Sequence, residues 1–386
     1  MKDNYIEKLS SKKPRARIKA YKKLLASFDF QAEEISKTRN INVQVRTDSK
    51  GTDCSPALAV YKAKRLGLPM VAAVGYASLS AVKELRKTAE PSFIAFYSGA
   101  EVSLSQENGK LLRAMAIGIP FKQAKRFDDE LSEYRKLKIN YIKKTIDRLN
   151  SAFKAHKIKI SHFEKEDVKN ALDANEKTVY SLLADEIMKK FSSPSDVLNF
   201  LTLKLKFDLS DSDRSKLEGI TPLYREDLAC VLGENLKIRA EAEKCKPIKH
   251  FIAMTKANGA IPAAIYDGKT EIGEFTERAR QAGFFAVIIE HGDDLAEEAY
   301  DKCIAEGLLP LSRVLIERGR DTFDAEFSSE ELAEKYNECA YAVVGHEICT
   351  SINILDGMFS KEHIKNLPDI KDRIKLFSRI GAKGKI

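Results

Sequence analysis

The sequence predicts an α/β fold in which mostly parallel strands close into a barrel, and three observations carry that expectation. From Asn40 onward, short β-branched runs alternate with helical periods, the pattern of right-handed βαβ units. Runs such as "PMVAAVGY" and "GFFAVII" are almost continuously apolar, as strands buried on both faces must be. Roughly seven such units spread over most of the 386 residues, which favours a barrel over an open sheet.

The elements follow in chain order. Residues 1–38 read as a helical lead, with Ile18, Tyr21, Leu24 and Leu25 over a basic face. "NINVQVR" is the first strand, and strict alternation puts Ile41, Val43 and Val45 on one face and Asn42, Gln44 and Arg46 on the other. Ser55–Pro56 is a cap and first-turn pair opening "ALAVYKAKRL", with Gly67 as its stop. Further strands are "PMVAAVGY", "SFIAFYSGAEVSL", "LLRAMAIGI", "AIPAAIYD", "GFFAVII" and "LLPLSRVLI". Between them, "GEFTERARQAG" ends at Gly283 and "SSEELAEKYNECA" opens on a serine cap followed by acids. The alternation breaks between Asp128 and Ser212, where only helical periods occur and no linker composition flanks them. The organisation predicted is therefore a lead (1–38), a first part of the barrel (39–127), a helical insertion (128–212), and a second part with a basic tail (213–386).

Composition excludes several classes. Hydrophobic residues make up 44% of the chain, so a disordered chain is excluded. No apolar run is long enough to span a bilayer, and the N-terminus lacks the apolar core of a secretory signal. The six cysteines are scattered without a C-x-x-C pair, which fits reduced thiols. A cytoplasmic protein with no membrane partner is expected. The net charge of +8 is concentrated in Arg135–Ile160 and in the C-terminal tail. A solvated basic face and a nucleic-acid contact both fit the first of these stretches.

The order of motifs resembles the PHP (polymerase and histidinol phosphatase) superfamily. The resemblance rests on "VQVRTDSKGTDCSPALAVYKAKRLGLP", "SLSAVKEL", "GAE" ending the third strand, "GIP" at Gly118–Pro120, "NGAIPAAIYDG" and "YAVVGHE". It implies a distorted (βα)7 TIM-like barrel of PHP type, with an N-terminal helical lead and a helical insertion. It also implies a phosphoesterase site holding two or three Zn, Mn or Fe ions at the barrel mouth.

The ligand positions that the resemblance implies have largely changed. The two histidines of the first strand fall on Gln44 and Arg46, and the D-H pair after the second falls on Gly75 and Tyr76. The histidine before G-I-P falls on Ile117, the insertion histidine on Thr178 and the late acid on Leu315, while Glu101 alone remains competent. A guanidinium about 4 Å from a metal would add repulsion on the order of 4 kcal/mol per unit of metal charge at an effective dielectric near 20. No metal cofactor is expected. The old pocket is expected at Gln44, Arg46, Tyr76, Glu101 and His346, with no catalytic residue among them. Arg46 either neutralises Glu101 in an internal pair or receives an anionic small molecule such as a phosphorylated ligand.

His346 is expected to make a structural hydrogen bond at a strand end. His291, beside Asp293 and Asp294, reads as a solvated loop, and Cys54 as a structural thiol. No P-loop, G-x-G-x-x-G, G-x-S-x-G or H-E-x-x-H occurs. A non-catalytic binding, scaffolding or regulatory protein is the expectation. A metal-dependent phosphoesterase with atypical ligands and a nucleic-acid-associated accessory protein stay open, and no protein partner is legible.

Overall fold

The structure is a computed structural model that describes residues 2–11, 13–27, 45–46, 55–65, 70–106, 111–160, 176–191, 193–218, 225–236, 245–266, 268–290, 295–313 and 329–384. Its strands are β1 (Val45–Arg46), β2 (Met70–Tyr76), β3 (Ala95–Ser105), β4 (Leu111–Ile117), β5 (Lys246–Pro247), β6 (Ile261–Ile265), β7 (Ala286–Glu290) and β8 (Leu309–Arg313). The helices are α1 (Lys2–Lys8), α2 (Pro14–Leu25), α3 (Pro56–Arg65), α4 (Val82–Ala89), α5 (Ala124–Ala152), α6 (Glu176–Lys190), α7 (Pro194–Asn199), α8 (Asp211–Glu218), α9 (Arg225–Asn235), α10 (Ile248–Ala257), α11 (Ile272–Ala282), α12 (Ala296–Ala305), α13 (Glu330–Ile352), α14 (Lys361–Asn366) and α15 (Ile370–Lys383). None of the described helices is long and apolar enough to cross a membrane.

The chain divides into two compact units, Met1–Tyr134 with Cys245–Ile386, and Arg135–Lys244. The described residues of the second unit hold helices and no strand. Its core is built by Ile142, Ile146 and Leu149 of α5 together with Leu183, Leu201, Leu228 and Val231.

In the first unit the sheet runs β1-β2-β3-β4-β6-β7-β8, with β5 beside β3. β1, β2 and β3 are parallel neighbours, with Arg46 opposite Val74 and Tyr76 opposite Glu101. β6, β7 and β8 are parallel too. β4 is not. It runs antiparallel to β3 on one side and to β6 on the other. In place of the expected array of parallel βα units the chain forms a curled mixed sheet, and among the described residues no pairing joins β8 to β1. The reason is the length of the connection. Only five residues separate Ser105 from Leu111, too few for the dozen or so that a parallel crossover needs. Asn108–Gly109 is the sequence signal for a hairpin at this point.

Alternation along the strands gives the sheet two buried faces. Val71, Ala73 and Phe96 pack against α2, α3 and α4, while Ala100, Val102, Ala264 and Val287 pack against α5, α10, α11 and α12. The opposite, inner face presents Ala72, Val74, Tyr97, Met115, Ile117, Ala263, Ile288 and Leu311 to α13 and α15.

Among its described residues the N-terminal lead holds two helices, α1 and α2, with residues 9–11 and 13 between them non-helical, where a wholly helical lead was expected. Its basic face is only partly solvated, because Arg17 is fully buried. The Arg17 guanidinium grips the Glu84 carboxylate of α4, with Nε donating to Oε1 at 2.7 Å and Nη2 to Oε2, and Nη1 donates to the Ser11 carbonyl at 2.6 Å. Ser55 caps α3 by accepting from Leu58 N–H at 3.1 Å and donates to the Leu9 carbonyl at 2.6 Å, which ties the lead to the sheet's helical layer.

α13 and α15 meet through glycines. A Cβ at Gly345 would lie 2.0 Å from the Phe377 carbonyl oxygen, and one at Gly381 would lie 2.0 Å from that of Tyr341. The two backbones touch there, so no larger side chain fits without moving a helix. Gly381→Ala is expected to lower stability by about 1–3 kcal/mol or more through overpacking. The exposed neighbour Ala382→Ser should be neutral, and urea unfolding followed by circular dichroism compares the two.

Candidate functional site

The described part of the candidate site lies where β2, β3 and the start of β4 come together on the inner-face register. Tyr76 ends β2 and pairs with Glu101 of β3, and Ser103 stands two residues further along the same face. The Tyr76 hydroxyl donates to Ser103 Oγ at 3.4 Å and accepts from Ser103 N–H at 3.4 Å. Because β4 runs back along β3, its first turn of strand delivers Arg113 opposite Ser103. Arg113 Nε then donates to Glu101 Oε1 at 2.9 Å. The carboxylate is buried at 4% side-chain exposure, whereas Arg113 keeps 37%, so the pair spans the boundary between the packed face and solvent.

Of the residues expected in the pocket, Tyr76 and Glu101 are thus brought together. Gln44 lies outside the described residues, as do His291, Leu315 and Cys54. For Arg46 and Thr178 only the backbone is described, and β1 sets Arg46 opposite Val74. His346 is not at a strand end. It sits in the middle of α13, fully buried. Met358 N–H donates to its Nδ1 at 3.0 Å, so the proton rests on Nε2, which donates to the Gly259 carbonyl at 2.8 Å. Burial holds this imidazole down to about 4, and it is neutral. His346 also approaches Gly118, at the end of β4 opposite to Arg113, so it belongs to a packing site away from Glu101.

Arg113 is the residue that sequence reasoning missed. Reading "LLRAMAIGI" as a parallel strand put the residue before Gly118 at the mouth, and that residue was Ile117. In the structure Ile117 is fully buried among the apolar side chains under α13, and the reversed strand presents its other end to Glu101. The Asn-Gly hairpin signal would have revealed this.

The described positions do not fit a divalent metal. A Cβ at Gly75 would lie 2.8 Å from the Ser78 carbonyl oxygen, so the turn leaving β2 leaves no room for a carboxylate side chain there. That turn is tight enough to hold Ala77 at φ 46°, with its N–H on the Glu101 carbonyl at 2.7 Å. Tyr76 is a poor ligand, and Glu101 faces a guanidinium. Among the described residues no three His, Cys, Asp or Glu side chains cluster as metal ligands.

No family model and no curated protein matches the chain. Similar solved structures include one described as a metal-dependent phosphoesterase from Bifidobacterium adolescentis and an amidohydrolase from Chromobacterium violaceum with bound sulfate and no metal. Each is 14% identical over 77% of this chain, covering 94% and 96% of the other, with a TM-score of 0.49. At that level no chemistry is carried across.

A second buried carboxylate, Glu347 of α13, neighbours His346. Ser98 N–H donates to its Oε2 at 2.9 Å, and Ser98 Oγ lies 3.2 Å from its Oε1 and 3.1 Å from the Ile119 carbonyl. Burial pushes this carboxyl up to about 8, against the opposing pull of the Ser98 bonds and the Arg86 charge. Proton counting agrees. Ser98 has one hydroxyl proton for two acceptors, and a protonated Glu347 supplies the missing one by donating to Ser98 Oγ. Because the folded value lies above the unfolded one, near 4.5, the stabilisation is complete below about pH 4.5 and is lost as pH rises through about 8. Glu347→Gln, an isostere of the neutral acid, is expected to abolish most of that loss, on the order of a few kcal/mol. Urea midpoints at pH 6 and pH 9 for both proteins measure it.

Proposed function

We propose that this chain is a PHP-like protein whose metal centre has been dismantled and whose mouth receives an anionic, phosphorylated small molecule without hydrolysing it. The observation that carries the reading is the Arg113–Glu101 pair. The one carboxylate that could have served a metal is buried and engaged by a guanidinium that still reaches solvent. A guanidinium offers planar, charge-assisted donors that match a phosphate, and it repels a cation. Arg46, two strands away on the inner-face register, brings a second cationic residue to the same end of the strands. Gly75 supports the loss of metal chemistry, since that position cannot carry a ligand without rebuilding the turn after β2. No catalytic role is assigned to any residue, and binding, scaffolding or regulation is the activity left.

Elemental analysis of protein purified without chelator is expected to find no stoichiometric Zn, Mn or Fe. Two or more tightly held metals per chain, with metal-dependent hydrolysis of a phosphate monoester, would establish the phosphoesterase reading instead. Gln44→His with Arg46→His should not recover hydrolysis, because Gly75, Tyr76 and Leu315 remain unsuited. In thermal-shift titrations, a phosphate monoester at about 100 times its Kd should stabilise the protein by about 2.7 kcal/mol. Arg113→Gln should lose that response and Arg113→Lys should keep part of it. A response equal in all three proteins would place the anion elsewhere.

A further inference from the structure

We propose that the helical unit Arg135–Lys244 carries a sequence-independent binding face for the phosphate backbone of double-stranded nucleic acid, separate from the mouth of the sheet. The charge of this unit is segregated along its sequence. Arg135–Ile160 contains nine Lys or Arg against one acid, Asp147, whereas residues 161–244 contain 13 basic against 17 acidic residues. The structure turns that segregation into a face. Ile142, Ile146 and Leu149 of α5 point into the unit's core, and Lys136, Lys143, Lys144 and Arg148 are exposed on the other side. Lys154, Lys157 and Lys159 continue the exposed row in the segment after the helix. α6 is anchored beside it, because Lys190 Nζ donates to the His156 carbonyl.

The dimensions suit a duplex. From Lys136 to Ala152 the helix covers about 24 Å, a length over which one strand of a duplex sets about seven phosphates. Single-stranded binding would need exposed aromatic platforms. Here Phe153 and Phe200 are buried, and Tyr141 already lies under Lys138 Nζ at 5.4 Å from its ring centre. An anionic membrane surface would want large apolar side chains among the lysines. None of the exposed large hydrophobic residues lies in this stretch. What remains is a face of exposed cations, with Asp147 alone of the acids in this stretch among them, and without base-reading or lipid-inserting groups, which recognises a charged backbone and ignores its sequence.

The test is fluorescence anisotropy of the full chain with a labelled mixed-sequence duplex of about 30 base pairs, as DNA and as RNA, between 50 and 200 mM salt. Binding is expected to weaken by about 10³-fold over that range and to be unchanged by shuffling the sequence. Lys143→Gln, Lys144→Gln, Lys154→Gln and Lys157→Gln together should reduce the salt slope by about three to four. Lys371→Gln, Lys375→Gln, Arg379→Gln and Lys383→Gln, in the exposed basic tail, should leave it unchanged. If the fourfold variant unfolds, Lys154→Gln with Lys157→Gln, outside the helix, should still lower the slope by about two. Absence of binding at 50 mM salt, a slope unchanged in the face variants, or binding to phosphatidylserine vesicles but not to either duplex would overturn the proposal.

Discussion

The reversal of the chain between β3 and β4 is the constraint on which the rest of the first unit depends. Five residues cannot carry the chain back to the starting edge, so β4 must run antiparallel between two parallel sets. Its two ends then do different work. The beginning of the strand brings Arg113 to Glu101, and the end brings Ile117 and Gly118 against α13. A parallel strand in the same place would have exchanged the ends, putting an isoleucine at the mouth and an arginine in the apolar core.

Three buried carboxylates show how differently one chemical problem is solved within one unit. Glu84 meets a fully enclosed arginine in a two-pronged grip, with the Ala57 N–H adding a 3.3 Å contact. Glu101 meets an arginine that remains partly wet. Glu347 has no cation in contact and is kept neutral, with Ser98 answering both of its oxygens. A lone buried charge is costly, so each carboxyl is either paired or protonated. Only the pair at Glu101 reaches solvent, and that is why it alone reads as a place where a ligand could enter.

The two units also divide their polarity differently. In the sheet unit, buried carboxylates join helix to helix at Arg17–Glu84, strand to strand at Arg113–Glu101 and helix to strand at Glu347–Ser98. The helical unit buries aliphatic and aromatic side chains and carries its cations outward on α5 and the segment after it. A surface of that kind attracts over a Debye length, about 8–10 Å at ordinary salt, whereas the pair at Glu101 acts only on what touches it.

Much of the architecture was legible in residue order. Apolar runs marked the later strands, Ser55 and Ser329 marked two helix starts, and Gly283 marked a helix end. These signals are local, and local sterics and hydrogen bonding decide them. Strand direction was not read, although Asn108–Gly109 carried the signal. The Arg113–Glu101 partnership depended on that direction. His346 looked like a strand-end residue until α13 proved continuous through it, since a run rich in Ala and Val serves a buried helix as well as a strand. The burial of Arg17 and the neutrality of Glu347 belong to the tertiary structure alone. Residue type sets the cost of enclosing a charge, but only the packing of distant elements decides which charges are enclosed and what answers them.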